Sequence, residues 1–384
     1  MNSPKAHHRI AERRELARLL EAGRSIQMPA PRRIGKTWLI GKLAEDLKAE
    51  GWHCISIDLQ GMRTEQEFFR ALCREIEESQ DVHRLALAHL LARFRHHIKD
   101  GAGAASLVQL LTQGVDPRAF SESLIESLDG NEKKTVVLID EISLFVQELA
   151  KSDAGAARAF LYHLRNLREA NRNVRWLFTG SIGLDVVAAH FGLQGALIDM
   201  DIFELRPFNL EEARGFIEEL REQNRLHTPF EFGEGAFEKF AHELGWRAPF
   251  YLELLAGTTR PTGPVARSGV ATATIADIEA AIEKLLLPSH RTYFAMWREH
   301  LEKNFPKEQT ARLHAILGIL AENADGEQVA TLLVRLSEPF PNATRRELMD
   351  RLTDLASGGF LEEAGERWRF RSGLLRRYWA KWMQ

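Results

Sequence analysis

Leu16, Leu19 and Leu20 recur at helical spacing among charged neighbours, so the chain predicts an amphipathic helix over residues 10–20. A strand is expected at residues 25–28. After the segment Ala30-Pro-Arg-Arg-Ile-Gly-Lys-Thr37, the positions Leu39, Ile40, Leu43 and Leu47 line one side of a second helix, residues 36–48. Residues 54–59 read as a buried strand. Thr64 and Glu67 have capping-box spacing and open a helix past Phe69, Leu72 and Ile76. Residues 135–139 and 174–178 are short, mostly apolar runs of the kind buried on both faces of a parallel sheet, with a helix expected between them from near Asp153. Strands alternating with helices predict an α/β fold, a parallel sheet covered on both sides.

The pattern is helical from Asp81 to Asp129 and reads as an inserted helical pair. Past residue 208 the strands give way to short helices, including residues 210–222 and 237–244. Residues 257–274, rich in Gly, Pro and Thr, read as an exposed linker, and residues 275–304 as a helical connector. Then come helices marked by Leu313, Ile316, Leu317 and Leu320, by Val329, Leu332 and Leu333, and by Leu348, Leu352 and Leu355, the last opened by Thr344 and Glu347. Gly358 and Gly359 stop it. A hairpin follows across Ala364 and Gly365, which makes a winged helix, and residues 374–383 close the chain as an amphipathic helix. The predicted organisation is an α/β core over residues 1–207 with an insertion at 81–129, a helical lid at 208–256, a linker and connector at 257–304, and a winged helix at 305–384.

Composition narrows the picture only a little. With 384 residues, 45% of them hydrophobic, the chain can build more than one core, and a formal net charge of −3 excludes a uniformly basic nucleic-acid binder. Two cysteines, Cys54 and Cys73, make neither a disulfide framework nor a four-thiolate zinc site. The polar N-terminus has no signal-peptide core, and no run approaches the ~20 apolar residues of a membrane span. A cytoplasmic protein without a membrane partner is expected.

Phosphate binding needs backbone N–H groups converging on an anion, a helix N-terminus aimed at it and a lysine for the outer phosphates. Strand, loop and helix occur in that order around Ala30, Pro31, Arg32, Arg33, Ile34, Gly35, Lys36 and Thr37, so the α/β core over residues 1–207 reads as a P-loop NTPase core. Lys36 is expected on the β and γ phosphates of ATP and the Thr37 hydroxyl on Mg²⁺. Gly35 lets the backbone approach, while Ala30 stands where the consensus has glycine. A bare Gly-Lys-Thr is a common tripeptide; the acids at the end of the 135–139 strand give it weight. Asp140 is placed to hold Mg²⁺ and Glu141 to act on the hydrolytic water, although two acids can also be ordinary helix N-terminal charges. At the end of the next strand, Thr179 or Ser181 is a candidate for sensing the γ-phosphate or holding the water; a plain strand-end turn is the competing reading. Arg32, Arg33, Arg165 and Arg168 meet phosphate or face solvent, and for the last two a solvated helix face is favoured.

Residues 31–37 and 138–141, with Phe178-Thr-Gly-Ser181 and Leu244-Gly-Trp-Arg-Ala-Pro-Phe-Tyr251, together resemble the archaeal and bacterial ATPases of the STAND class, MNS branch, which are relatives of AAA+ ATPases. The resemblance runs from about residue 10 to the C-terminus. It implies a nucleotide domain with a helical lid and a winged helix, and it places Gly245 and Pro249 of the lid toward the nucleotide, with Arg247 between them as a candidate sensor. Residues 10–16 resemble the family's segment near the adenine. The insertion and Ala30 depart from the family pattern.

Other clusters read blandly. His83, His89, His96 and His97 lack the carboxylate and thiolate partners of a metal site, and Trp297, Trp368, Trp379 and Trp382 suit packing better than base stacking. Arg367, Arg369, Arg371, Arg376, Arg377 and Lys381 face only Glu366 as a local acid, so DNA is a candidate partner; Glu327, Glu347, Asp350 and Asp354 argue instead for packing or a protein partner. Two functions are therefore weighed. One is an ATP-hydrolysing switch, with ADP as product and self-association open. The other is a nucleotide-stabilised scaffold that binds DNA or a protein partner through its C-terminal module and turns over negligibly; Ala30 favours this one and Glu141 the first.

Overall fold

The computed structural model describes residues 8–78, 116–130, 133–181, 183–305 and 307–383. They divide into two compact units: a sheet unit, Ala11–Ala30 and Lys36–Leu205, and a C-terminal unit, Met1–Ile10, Pro31–Gly35 and Arg206–Gln384.

The sheet unit is built on five parallel strands, β1 (Ser25–Pro29), β2 (His53–Asp58), β3 (Thr135–Asp140), β4 (Val174–Gly180) and β5 (Met200–Ile202). Their spatial order is β2-β3-β4-β1-β5. β3 is buried along its whole length, as its unbroken apolar run requires of a central strand. The order puts β4 between the strand that feeds the phosphate loop and the strand that carries the acids. In register, Pro29 lies opposite Gly180, and Ile139 opposite Phe178. One sheet face is covered by the helices Glu65–Glu78, Pro117–Asp129, Ile142–Ser152 and Ala154–Ala170, whose Phe68, Phe69, Phe145 and Phe160 meet edge to face or tilted. Each such buried side chain contributes about 1.5–3 kcal/mol by leaving water.

Several expectations change here. The stretch between β3 and β4 holds two helices, and Asp153 divides them: it ends the first and caps the second by accepting from the Gly155 and Ala156 amides. Arg168 is buried, not solvated; it donates to the Asp199 carboxylate and the Ala196 carbonyl, and it lies over Phe178. Burial works to raise the Asp199 pKa, but the Arg168 bonds prevail and hold the carboxyl below its ordinary value. Arg165 is half-buried and bonds Glu169 and the Gly195 carbonyl. Of the insertion, Pro117–Asp129 is helical, capped by Asp116; the remainder, including the four histidines, lies outside the described residues.

In the C-terminal unit the lid helices are Leu210–Glu222, Ala236–Leu244 and Pro249–Thr258, the first opened by a full capping box of Asn209 and Glu212. The 257–274 stretch is partly exposed, with Thr259 and Ala273 buried, and it is a hairpin and not an open tether. The Gly263 amide donates to the Thr272 carbonyl, and Thr272–Ala273 pairs in parallel with Glu231–Phe232. Helices Ile275–Leu285 and Thr292–Asn304 follow.

The last module has the winged-helix order: Lys307–Ala321, a short strand Glu327–Gln328, Val329–Ser337, Arg345–Ser357, then the wing strands Leu361–Ala364 and Arg367–Phe370 in a three-stranded antiparallel sheet. Thr344 caps its helix by accepting from the Glu347 amide, while the Glu347 carboxylate meets Arg312. Trp368 and Trp379 are buried, as packing residues should be, and the Trp297 indole donates to the Tyr251 hydroxyl. Trp382 donates to the Leu286 carbonyl.

The basic end is less open than its sequence suggests. Register sets Arg369 across from Glu362, and the two form a salt bridge. Arg377 meets Glu243, Arg367 donates to the Gly326 carbonyl, and Arg376 to that of Ala321. Arg369 and Arg377 thus meet acids, Glu362 on the neighbouring wing strand and Glu243 far back in the chain, so Glu366 is not the sole local acid.

Candidate nucleotide-binding site

In the sheet unit the site is assembled at the C-terminal ends of β1, β3 and β4, where ligands bind in open parallel sheets. Helix Lys36–Ala49 begins there. Lys36 is only 6% exposed, and its Nζ donates to the Ala30 carbonyl at 2.8 Å, bridging the two ends of the loop; Glu141 Oε1 lies 3.9 Å from it. The Thr37 hydroxyl donates to Asp140 Oδ2 at 2.7 Å. The other oxygen, Oδ1, accepts from the Thr179 hydroxyl and from the Glu141 amide. Both Asp140 oxygens are thus fixed by hydroxyls from the two flanking motifs.

Glu141 takes a left-handed backbone at φ 56°, ψ 32° and stands as the cap residue of Ile142–Ser152, without making a side-chain cap bond. Its Oε2 accepts from the Ser181 amide at 3.1 Å and the Ser181 hydroxyl at 2.9 Å. A non-glycine residue in that region carries backbone strain of about 1–2 kcal/mol, which the surrounding bonds must offset. Thr179 and Ser181, offered as alternatives by the sequence, have separate partners: the first sits on Asp140, the second on Glu141. Two residues apart at the end of a strand, they face the same side.

Ala30 is buried, donates its amide to the Gly180 carbonyl at 3.2 Å, and is absent from the positive-φ positions. Its methyl therefore imposes no strain, and glycine is not needed there. The left-handed positions of the loop are Arg33, at φ 73°, and Gly35, at φ 95°.

In the C-terminal unit, the loop residues Pro31–Gly35 keep company with lid residues. Arg33 stacks over the Phe250 ring at 4.3 Å, and Gly35 faces Pro249, the first residue of helix Pro249–Thr258. Pro31 and Ile34 are buried and Arg32 is half-buried. Arg247, the candidate sensor, donates to the Phe208 and Gly245 carbonyls and so braces the lid's own backbone. Sequence reasoning passed over Arg9. It is 1% exposed, takes φ 52°, and donates to the Ile34 and Arg206 carbonyls. No motif marks it.

The donor set suits a hydrated phosphate–magnesium ligand. A hydroxyl and a carboxylate are hard oxygen donors, and Mg²⁺ is commonly held by one or two such groups together with phosphate oxygens. Among the described residues there is no cluster of three or more His, Cys, Asp or Glu side chains suited to a metal held by protein alone. The core has the P-loop NTPase fold. Residues 21–187 match the family model of an AAA domain. Across 96% of this chain and 95% of its own length, the Walker-type ATPase PABY2304 of Pyrococcus abyssi superposes with a TM-score of 0.65 at 17% identity. The ORC2 protein of Aeropyrum pernix, in ADPNP–ADP complexes, does so with a TM-score of 0.54 at 13% identity, covering 97% of this chain and 90% of its own. Likeness at these identities speaks for the fold. No curated protein matches the chain. No helix among the described residues is long and apolar enough to cross a membrane.

Proposed function

We propose that this P-loop domain binds Mg·ATP and hydrolyses it, and that the chain works as a nucleotide-dependent switch of the STAND kind, with the winged-helix module as its output. The observation that carries the reading is the convergence of Lys36, Thr37, Asp140 and Glu141 at one sheet edge, with Thr37 bonded to Asp140 and Glu141 within 4 Å of Lys36. In this reading Thr37 and Asp140 hold Mg²⁺, Lys36 neutralises the outer phosphates, and Glu141, oriented by Ser181, takes a proton from the attacking water. Supporting an output through the winged helix, Gly359, at the turn into the wing, lies against the phosphate loop: a Cβ there would come within 2.7 Å of Pro31 Cγ.

The competing scaffold reading drew its support from Ala30, and the unstrained backbone at that position removes it. Its DNA branch has to draw on arginines of which four already bond within the chain. The decisive experiment pairs Lys36→Ala with Glu141→Gln. The first is expected to lose ATP binding; the second is expected to keep binding and to lose hydrolysis by about 100-fold or more. Parental turnover in Glu141→Gln would remove the hydrolytic assignment, and parental affinity in Lys36→Ala would remove the phosphate loop itself.

A further inference from the structure

We infer that Arg9 is a positioning residue for the phosphate loop, holding the peptide between Ile34 and Gly35 in the orientation that presents an amide to the phosphates. The inference rests on the phosphate-loop reading above. Its starting point is burial: a guanidinium 1% exposed has left water and needs acceptors, and Arg9 has found backbone carbonyls at two places. Nη2 donates to the Ile34 carbonyl at 3.1 Å and Nη1 to the Arg206 carbonyl at 3.0 Å. The flat of the group lies 4.6 Å from the centre of the Phe208 ring, which fixes its plane. Arg9 itself stands at φ 52°, a conformation that side chains other than glycine adopt at a cost.

The geometry of a trans peptide supplies the rest. The C=O of one residue and the N–H of the next lie in one plane and point in opposite directions, and no peptide among the described residues is cis. Fixing the Ile34 oxygen on the Arg9 side therefore turns the Gly35 amide to the other side. A loop peptide next to a glycine at φ 95° is the one most free to rotate, because no Cβ restrains it. If it rotated, a carbonyl oxygen would replace an amide hydrogen and would repel an anion. Arg9 opposes that rotation through its bond to the Ile34 oxygen, while its second bond, to the Arg206 carbonyl, and the Phe208 ring hold the guanidinium in place; the ammonium of a lysine has no such planar fork.

The test is a calorimetric titration of the full chain with Mg·ADP, comparing the parent, Arg9→Met, Arg9→Lys and Lys36→Ala. Methionine fills much of the volume against Phe208 without donating, and lysine keeps a charged donor group at a single nitrogen without the planar fork. The dissociation constant is expected to rise about tenfold for Arg9→Met and by less for Arg9→Lys, with stoichiometry kept near one. Damage of a merely structural kind would lower the stoichiometry and leave the affinity of the surviving molecules alone. That result, or an affinity within twofold of the parent in both Arg9 variants while Lys36→Ala is weakened, overturns the inference and spares the site. Unchanged binding in Lys36→Ala as well removes the site on which it rests. Should Arg9→Met fail to fold, the Arg9→Lys affinity decides.

Discussion

Restoring the consensus glycine at position 30 is the change a motif comparison would recommend, and the structure argues against it. Ala30 is 2% exposed, and its amide is paired with the Gly180 carbonyl in an ordinary backbone conformation. Removing its methyl forfeits burial of one carbon, about 0.8 kcal/mol. Glycine also enlarges the freedom of the unfolded chain, adding roughly 0.5–1 kcal/mol. The sum, about 1.5 kcal/mol, corresponds to a fall of roughly 3–6 °C in the melting temperature of a unit of this size. Scanning calorimetry on Ala30→Gly, with Mg·ATP affinity measured alongside, is the assay. The expected result is lower stability with affinity unchanged within about twofold. A variant that bound or turned over ATP better than the parent, without loss of stability, would show that the alanine does strain the loop and that the argument from φ is wrong.

Two further outcomes are expected. Ser181→Ala removes the hydroxyl donor to Glu141 but keeps the amide bond; steady-state kinetics should show kcat reduced about tenfold with KM unaltered, and a parental kcat would deny Ser181 its orienting role. His163 is buried, with Nε2 on the Ser121 hydroxyl, Glu122 nearby and the Phe69 ring in a T-shaped pair with it. Burial, aided by Arg118 and opposed by Glu65 and Asp116, lowers its pKa. Because the folded form binds a proton less readily than the unfolded one, this contribution to stability is whole above the unfolded value near 6.5 and declines as pH falls below it. Denaturation midpoints at pH 7 and pH 5 should therefore converge in His163→Phe relative to the parent; an unchanged difference would rule His163 out.

The sheet and the strand ends were legible because parallel strands buried on both faces leave unbroken apolar runs, as in β3, and because loop, acids and hydroxyls follow them directly. What was illegible depended on partners remote in sequence. Arg168 carries the same residue type as a solvated helix arginine, and only the return of the chain at Asp199 makes it a buried one. Arg369 looked like a free cation until register placed Glu362 across from it. The worry over Ala30 came from reading a consensus letter as a backbone angle, when the left-handed angles fall on Arg33 and Gly35. Arg9 lies outside every motif, and its acceptors are carbonyls, which belong to no residue type and leave no trace in composition.

One peptide unit joins the two halves of this sheet edge. The Gly180 carbonyl receives the Ala30 amide, and the Ser181 amide, part of the same peptide unit, is given to Glu141. Because that unit is planar and stiff, it behaves as a crossbar: tilting it to shorten one bond lengthens the other. The main chain at Ala30 and the Glu141 carboxylate therefore cannot be set independently. A shift of main chain at Ala30 by a few tenths of an ångström arrives at Glu141 as a change of aim, by a route that runs wholly through the sheet.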